Sequence, residues 1–402
     1  MRAHRCRASV LCALLAASVA LLGMGGMQTQ TAKQPSGEVR IIGPEEIVFD
    51  WTTDRCDKND IPDLPARAFR DADGKVQLIA THYIDRRMIG DTLASVKRAC
   101  RGVMNSDMNS DPARFDDHEW LGSFYTLDGQ TIYALVHNEY QGHTHGAGRC
   151  PSGEYMKCWY GSVTSAESTD RGVTYAHPAA PNHLVACAPY AYAPDSGTWG
   201  YGWPSNIVLN PKDGFYYALL HTEAYQLLPK GVCVIRTRTL DDPASWRAWD
   251  GRGFNVEFLS PYAELSLDPL QHIPQPVSFD AILTGTESLT FNTYFGKFLL
   301  VTATAQWVNG EFVTGFYYSL SDDLVNWSMR KLLMQAELPY WKKDPRSEEV
   351  VLYPSLIDPD DTSRNFEITG QRPYLYFTRM HPATAKNEGL DRDLVRVRIE
   401  FQ

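Results

Sequence analysis

The 402-residue sequence predicts an all-β chain: a five-bladed β-propeller, one domain, behind a removable leader. Three observations predict it. No apolar pattern of helical period runs far after residue 26; the one short candidate is Asp91 to Cys100. Short runs of Val, Ile, Leu, Tyr and Phe are instead broken by Gly, Pro, Asp and Asn, which is how strands and turns read. One grammar also recurs five times, a turn residue followed by an apolar strand and a polar end.

The leader comes first. Arg2, His4, Arg5 and Arg7 form a basic start, Ala8 to Leu22 is apolar, and small residues (Ala20, Gly23, Gly25, Gly26) follow. That order is the signal-peptide pattern, and the apolar run is short for a membrane span. We read 1–26 as the signal peptide, 27–38 as a flexible segment and 39–402 as the propeller, with a secreted or periplasmic location expected. Cys6 and Cys12 leave with the leader, and six cysteines remain. In an oxidising compartment their order suggests Cys56–Cys100, Cys150–Cys158 and Cys187–Cys233, among fifteen arithmetically open pairings. Buried free thiols are the alternative.

The repeats follow in order. Unit 1 opens with PARAFRDAD at Pro65 and continues after Gly74 to Tyr83; its third run is the least clear. Unit 2 runs from LGSFYTLD at Leu121 through the segment Gly129 to Tyr140, then CWYGSVTSAES from Cys158. Unit 3 runs from PSNIVLNP at Pro204 through Gly214 to Tyr225, then VCVIRTRTL from Val232. Unit 4 runs from ESLTFNTYF at Glu287 through Gly296 to Ala305, then FVTGFYYSLS from Phe312. Unit 5 runs from LYPSLIDP at Leu352 through Pro373 to Met380, then LVRVRIEF from Leu394. The strand near Val39 to Ile42 is expected to complete the last sheet and close the ring. YALVHNE from Tyr133 nearly superimposes on YALLHTE from Tyr217, so His137 matches His221 and Glu139 matches Glu223. Radial repetition of four-stranded antiparallel units keeps sheet edges short. An irregular β-sandwich is the competing architecture.

Composition narrows the function. The net charge is −10, and −13 once Arg2, Arg5 and Arg7 leave with the leader. An acidic chain without a basic block is a poor partner for nucleic acid or an anionic membrane. The 16 Phe, 10 Trp and 21 Tyr favour strands and a sugar-like ligand over a helical bundle. A monomer acting on carbohydrate is expected, with no cofactor.

Chemistry is expected where the inner strands begin, around the central channel. NDIPDLPARAF offers Asp60, Asp63 and Arg67. FDDHEWLGS offers Asp116, Asp117, His118 and Glu119; alternation sends Asp117 and Glu119 one way and His118 the other. HNEYQGHTH adds His137, Glu139, His143 and His145. His143 and His145 have the spacing of a metal pair on a strand. No metal ligand is assigned all the same, and a structural ion in the channel is left open. Trp199, Tyr201 and Trp203 suit a platform for a sugar ring, with Asn206 just beyond. His221 and Glu223 end their strand as His137 and Glu139 do. Glu287 stands alone before an apolar strand, and Arg379 ends the last inner segment, where it could clamp a carboxylate.

SLSDDLVNW from Ser319 resembles the S-x-D-L-x-x-W turn of the five-bladed propeller glycosidases, the arabinanases, β-xylosidases and invertases. STDRGVTY from Ser168 is similar to the Asp box of sialidase-like propellers, with Tyr175 where Trp is usual. SWRAWDG from Ser245 and YPSLIDP from Tyr353 have the same flavour. The resemblance covers the whole mature chain as repeated turns, and such turns are structural. It implies a glycoside hydrolase with an Asp of the first unit (Asp63 or Asp60) as base or nucleophile. It also implies a later Glu, Glu287, as general acid, with Glu119 or Asp117 as modulator. One carboxyl protonates the leaving oxygen while the other activates water or attacks carbon. A sialidase-like enzyme would instead need three arginines, offered by Arg67, Arg236 or Arg238, and Arg379. A non-catalytic sugar-binding propeller would keep only the aromatic platform.

Overall fold

The computed structural model describes residues 37–179, 182–263 and 268–402. The signal peptide, most of the flexible segment, and Cys6 and Cys12 lie outside them. Among the described residues the chain is all-β, and no helix is long and apolar enough to cross a membrane.

Each recurring segment is the second strand of a four-stranded antiparallel unit. Unit 1 orders Arg67–Arg70, Val76–Ile79, Met88–Gly90 and Lys97–Arg98. The short helical candidate at Asp91 to Cys100 is thus turn and edge strand. Unit 2 orders His118–Tyr125, Ile132–Gln141, Trp159–Ser168 and Leu184–Ala186. Unit 3 orders Val208–Asn210, Phe215–Glu223, Gly231–Thr237 and Arg247–Trp249. Unit 4 orders Ser288–Asn292, Lys297–Val308, Glu311–Ser321 and Lys331–Gln335. Unit 5 orders Val350–Ile357, Tyr374–Met380, Arg392–Phe401 and, from the other end of the chain, Val39–Phe49. That last pairing sets Val39 opposite Phe401 and Phe49 opposite Leu394. Units 2 and 3 are not separate sheets. Trp199–Gly202 pairs parallel with Trp159–Ser168 and antiparallel with Phe215–Glu223, joining them.

Strand alternation explains how the units stack. Along Phe215–Glu223, Ala218 and Leu220 enter a core shared with unit 2, while Tyr217 and Leu219 enter one shared with unit 4. Along Lys297–Val308, Phe298 and Leu300 face unit 3, and Leu299 and Val301 face unit 5. Five such cores occur, each between successive units. The fifth joins Ala68 and Leu78 of unit 1 to Ile357 and Tyr376 of unit 5.

Side-chain hydrogen bonds at the inner strands follow the same circuit. Asp85 accepts from Leu121 N (2.9 Å), and Ser123 Oγ from Ile207 N (3.0 Å). Asn206 Oδ1 accepts from Leu289 N (3.1 Å), and Ser288 Oγ from Leu356 N (3.0 Å). Ser355 Oγ then donates to Ala66 O (2.7 Å), back in unit 1. These side chains replace water for backbone groups that no neighbouring strand reaches.

The two motif turns are built alike. Ser168 Oγ accepts from Gly172 N and Asp170 from Thr174 N; Ser321 Oγ accepts from Leu324 N and Asp323 from Asn326 N. Cys56–Cys100 and Cys150–Cys158 are disulfides. The first closes a separation of 44 residues, worth about 4 kcal/mol on loop entropy. The expected Cys187–Cys233 bond is absent, and both are buried thiols. They share one core but point at backbone carbonyls, Cys187 Sγ at Leu259 O (3.3 Å) and Cys233 Sγ at Val234 O (4.0 Å). Burial pushes both thiols up, away from reactivity.

Candidate functional site

The inner strands of units 1, 3, 4 and 5 begin around a cavity of about 420 Å³. Three of these strands carry a pre-proline residue at the cavity: Leu64 before Pro65 and Trp203 before Pro204 ahead of their strands, and Tyr353 before Pro354 within Val350–Ile357. All three pre-proline residues line the cavity. A residue before proline is normally extended, yet Trp203 has φ 42° and Tyr353 φ 58°. Bulky residues held there carry strain of about 1–3 kcal/mol each, the kind that gathers at functional sites.

Glu287 supplies the acidic group. Its Oε2 accepts from Thr286 N (2.9 Å) and its Oε1 from Ala303 N (3.1 Å), which fixes the carboxyl at the cavity wall. Burial pushes this carboxyl above its ordinary value, against the backbone amides that favour the anion. Gly285 makes room for it. A Cβ there would lie 1.7 Å from Thr302 Oγ1 and 3.1 Å from Glu287 Oε2.

Arg67 reaches from unit 1 into the hub. It is 3% exposed, and its guanidinium donates to Ser355 Oγ (3.4 Å) and Pro204 O (3.3 Å) of two other units. Burial brings it down to about 9, with Glu287 acting in the opposite sense.

Trp203 stands between the two matched His-x-Glu pairs. Its ring centroid is 5.4 Å from His137 and 4.5 Å from His221. His137 Nε2 lies 3.0 Å from Glu139, and His221 Nε2 lies 2.9 Å from Glu223. His221, Glu223 and Lys230 line the cavity, with Lys230 Nζ on both Glu223 oxygens at 2.9 Å. His137 is sealed behind Trp203. A Cβ at Gly202 would come within 2.7 Å of its Cε1, so only glycine lets the strand pass.

Asp63 is not on the cavity lining itself but sits beside Tyr353, which is, and whose hydroxyl donates to Oδ1 (3.3 Å); Arg392 pairs with the same oxygen, and His82 Nε2 lies 3.8 Å from Oδ2. Tyr340 stands with Glu287 on the cavity wall and is 67% exposed. Enclosure of its hydroxyl end, then the Glu287 and Asp63 carboxylates, push its phenol up.

Several expected site residues are elsewhere. Glu119 is buried and bonded to His177 Nε2 (2.6 Å), away from the cavity lining. Asp117 is held by Gln141 N (2.8 Å) and lies 3.0 Å from both His118 and His145. Alternation does not relate Asp117 to Glu119, because Asp117 lies in a bend before the strand His118–Tyr125, which is itself buried on both faces. Asp60 accepts from Cys56 N (3.0 Å) and pairs with Arg98 (3.4 Å). Asn206 serves the inner-strand circuit. Arg379 pairs with Glu45 (2.5 Å) and Glu349 (3.2 Å), and Arg236 lies between Phe215 and Phe254 (4.0 Å each). The three-arginine set of a sialidase-like site is therefore not assembled. His143 packs on Tyr155 (5.1 Å), whose hydroxyl donates to Glu139 (3.0 Å). Trp199 and Tyr201 are core residues; Trp203 alone of that trio reaches the cavity. Tyr340, Trp341, Tyr353, Lys230 and Arg392 were not anticipated. The shared pre-proline position was the signal that could have found Tyr353.

No family model matches the chain, and no curated protein does. Among solved structures it is similar to a protein of unknown function from Dyadobacter fermentans (TM-score 0.46, 11% identity, 91% of this chain and 100% of that one). It is also similar to an α-L-arabinanase of Cellvibrio cellulosa (0.46, 12%, 83% and 90%). A third is the catalytic domain of a GH62 α-L-arabinofuranosidase from Coprinopsis cinerea (0.44, 10%, 89% and 97%).

Proposed function

We propose that the five units are the blades of a propeller and that the chain is a secreted glycoside hydrolase acting in the hub cavity. One observation carries this reading: Glu287, with its carboxyl raised by burial, lines an aromatic-walled cavity together with Tyr353, whose hydroxyl donates to Asp63 (3.3 Å). A raised carboxyl holds its proton to higher pH than an ordinary one, which suits it to give that proton to a glycosidic oxygen. In this reading Asp63, paired with Arg392 and bonded to Tyr353 of the cavity wall, is the second carboxylate, activating water or attacking the anomeric carbon. Trp203, Tyr340 and Tyr353 offer ring faces to the sugar. Glu223, not Glu119 or Asp117, is the further carboxylate on the wall of this cavity. Secretion is supported by the two disulfides.

A metal ion in the channel does not fit the hub. The buried Arg67 guanidinium on its wall is a charge of the wrong sign beside a cation. No step is routed through one.

A sugar-binding propeller without catalysis is the second reading, favoured by the partners Asp63 already has in Arg392 and Tyr353. Release of reducing ends from arabinan, xylan and inulin separates the two. Wild type should release product from one of them. Glu287→Gln and Asp63→Asn should each lower the rate by about 10²–10⁴-fold. Unchanged turnover in both variants contradicts the assignment.

A further inference from the structure

We infer that a strip of exposed aromatic rings running out of the hub cavity is a binding track for a polysaccharide chain, so that the substrate is a polymer and not a disaccharide. The inference rests on the proposed carbohydrate site and names its substrate class.

The strip consists of Trp307, Phe312, Trp341 and Tyr340, which are 69%, 47%, 43% and 67% exposed. Large aromatic rings in this chain are otherwise mostly placed between units, as the five cores show. Four contiguous exposed rings are therefore out of character, and such patches mark interaction surfaces. Their centroids are 5.5 Å apart from Trp307 to Phe312, 6.3 Å from Phe312 to Trp341 and 6.1 Å from Trp341 to Tyr340. Trp307 and Phe312 face each other across the hairpin of Lys297–Val308 and Glu311–Ser321, so two paired strands hold the outer end rigid.

Continuity with the cavity decides the occupant. Tyr340 and Trp341 belong to both the strip and the cavity wall. Thr304, also on that wall, lies on the same strand as Trp307, about 10 Å away at strand rise. A ligand with one unit beside Glu287 and more units in sequence would lie along the rings. A chain of sugars has that form, with an apolar face on each ring to set against an aromatic side chain and hydroxyls left in water. Lys342 pairs with both Glu337 (3.0 Å) and Glu348 beside the strip, giving a polar margin with no net positive charge to draw an anionic partner.

The test uses the full-length protein with Trp307→Ala/Phe312→Ala, both on an exposed hairpin outside the cavity lining. Binding and turnover are measured on arabinan, xylan and inulin and on the matching disaccharides. The account expects about tenfold weaker affinity, or a KM raised as much, for the polymer, with the disaccharide unchanged. Equal effects on polymer and disaccharide, or none on either, overturn the track while hydrolysis by wild type leaves the site reading intact. Polymer binding that needs Trp307 and Phe312 without any turnover upholds the track and removes the hydrolase. Wild type that binds no carbohydrate overturns both. Cosedimentation of wild type with neutral lipid vesicles, lost in the double variant, would also overturn the track.

Discussion

The two His-x-Glu pairs come from nearly identical segments, yet the ring of strands puts them to different uses. His137 and Glu139 are buried, and Glu139 also accepts from Gln141 and Tyr155 (2.9 and 3.0 Å). Burial would raise the Glu139 carboxyl, but these bonds and His137 outweigh it and hold it below its ordinary value. His221 and Glu223 make the same bond at the wall of the cavity, where Glu223 is half-buried and shared with Lys230. The repeat therefore encodes a framework bond, and position around the hub decides which copy can meet a ligand. Trp203, wedged between them, is the divide.

The comparison breaks most visibly in stability. Glu139→Ala strands His137 without its partner in the interior and should cost about 3–5 kcal/mol in urea unfolding. Glu223→Ala should cost no more than about 1 kcal/mol, because water and Lys230 are at hand. Equal losses would erase the distinction. Acid unfolding gives a smaller, sharper test. Both carboxyls are held below their ordinary range, so each contributes stability above the unfolded value of about 4.3 that is lost as pH falls through the folded value. Removing Glu139 should flatten the acid limb of stability clearly. Removing Glu223 should do so only slightly, since a half-exposed pair is screened.

Much of the fold was legible because strand periodicity is local. The five segments, their neighbours and the closing strand from Val39 all follow from alternation and turn residues. The site was less legible, because convergence on a hub is set by tertiary geometry. Arg67, Trp203, His221, Glu223 and Glu287 stood out as polar or aromatic residues beside inner strands, and all line the cavity. Glu119, on a strand buried on both faces, and Asp117, in the bend just before it, stood out equally, and spacing there cannot tell the hub from a neighbouring core. Tyr340 and Trp341 come from a loop between units, and no periodicity leads to it. Cys187 and Cys233 share a core without sharing a bond, which chain order cannot reveal.

The account's central claim is that Glu287 protonates a leaving oxygen in the hub cavity. Turnover of an alkyl and a dinitrophenyl glycoside of the accepted sugar, by wild type and Glu287→Gln, tests it most directly. A leaving group that needs no proton should be nearly indifferent to the loss of a general acid. We predict that Glu287→Gln loses about 10²–10⁴-fold in kcat/KM on the alkyl glycoside and far less on the dinitrophenyl glycoside. An equal loss on both, or no loss on either, would contradict the claim.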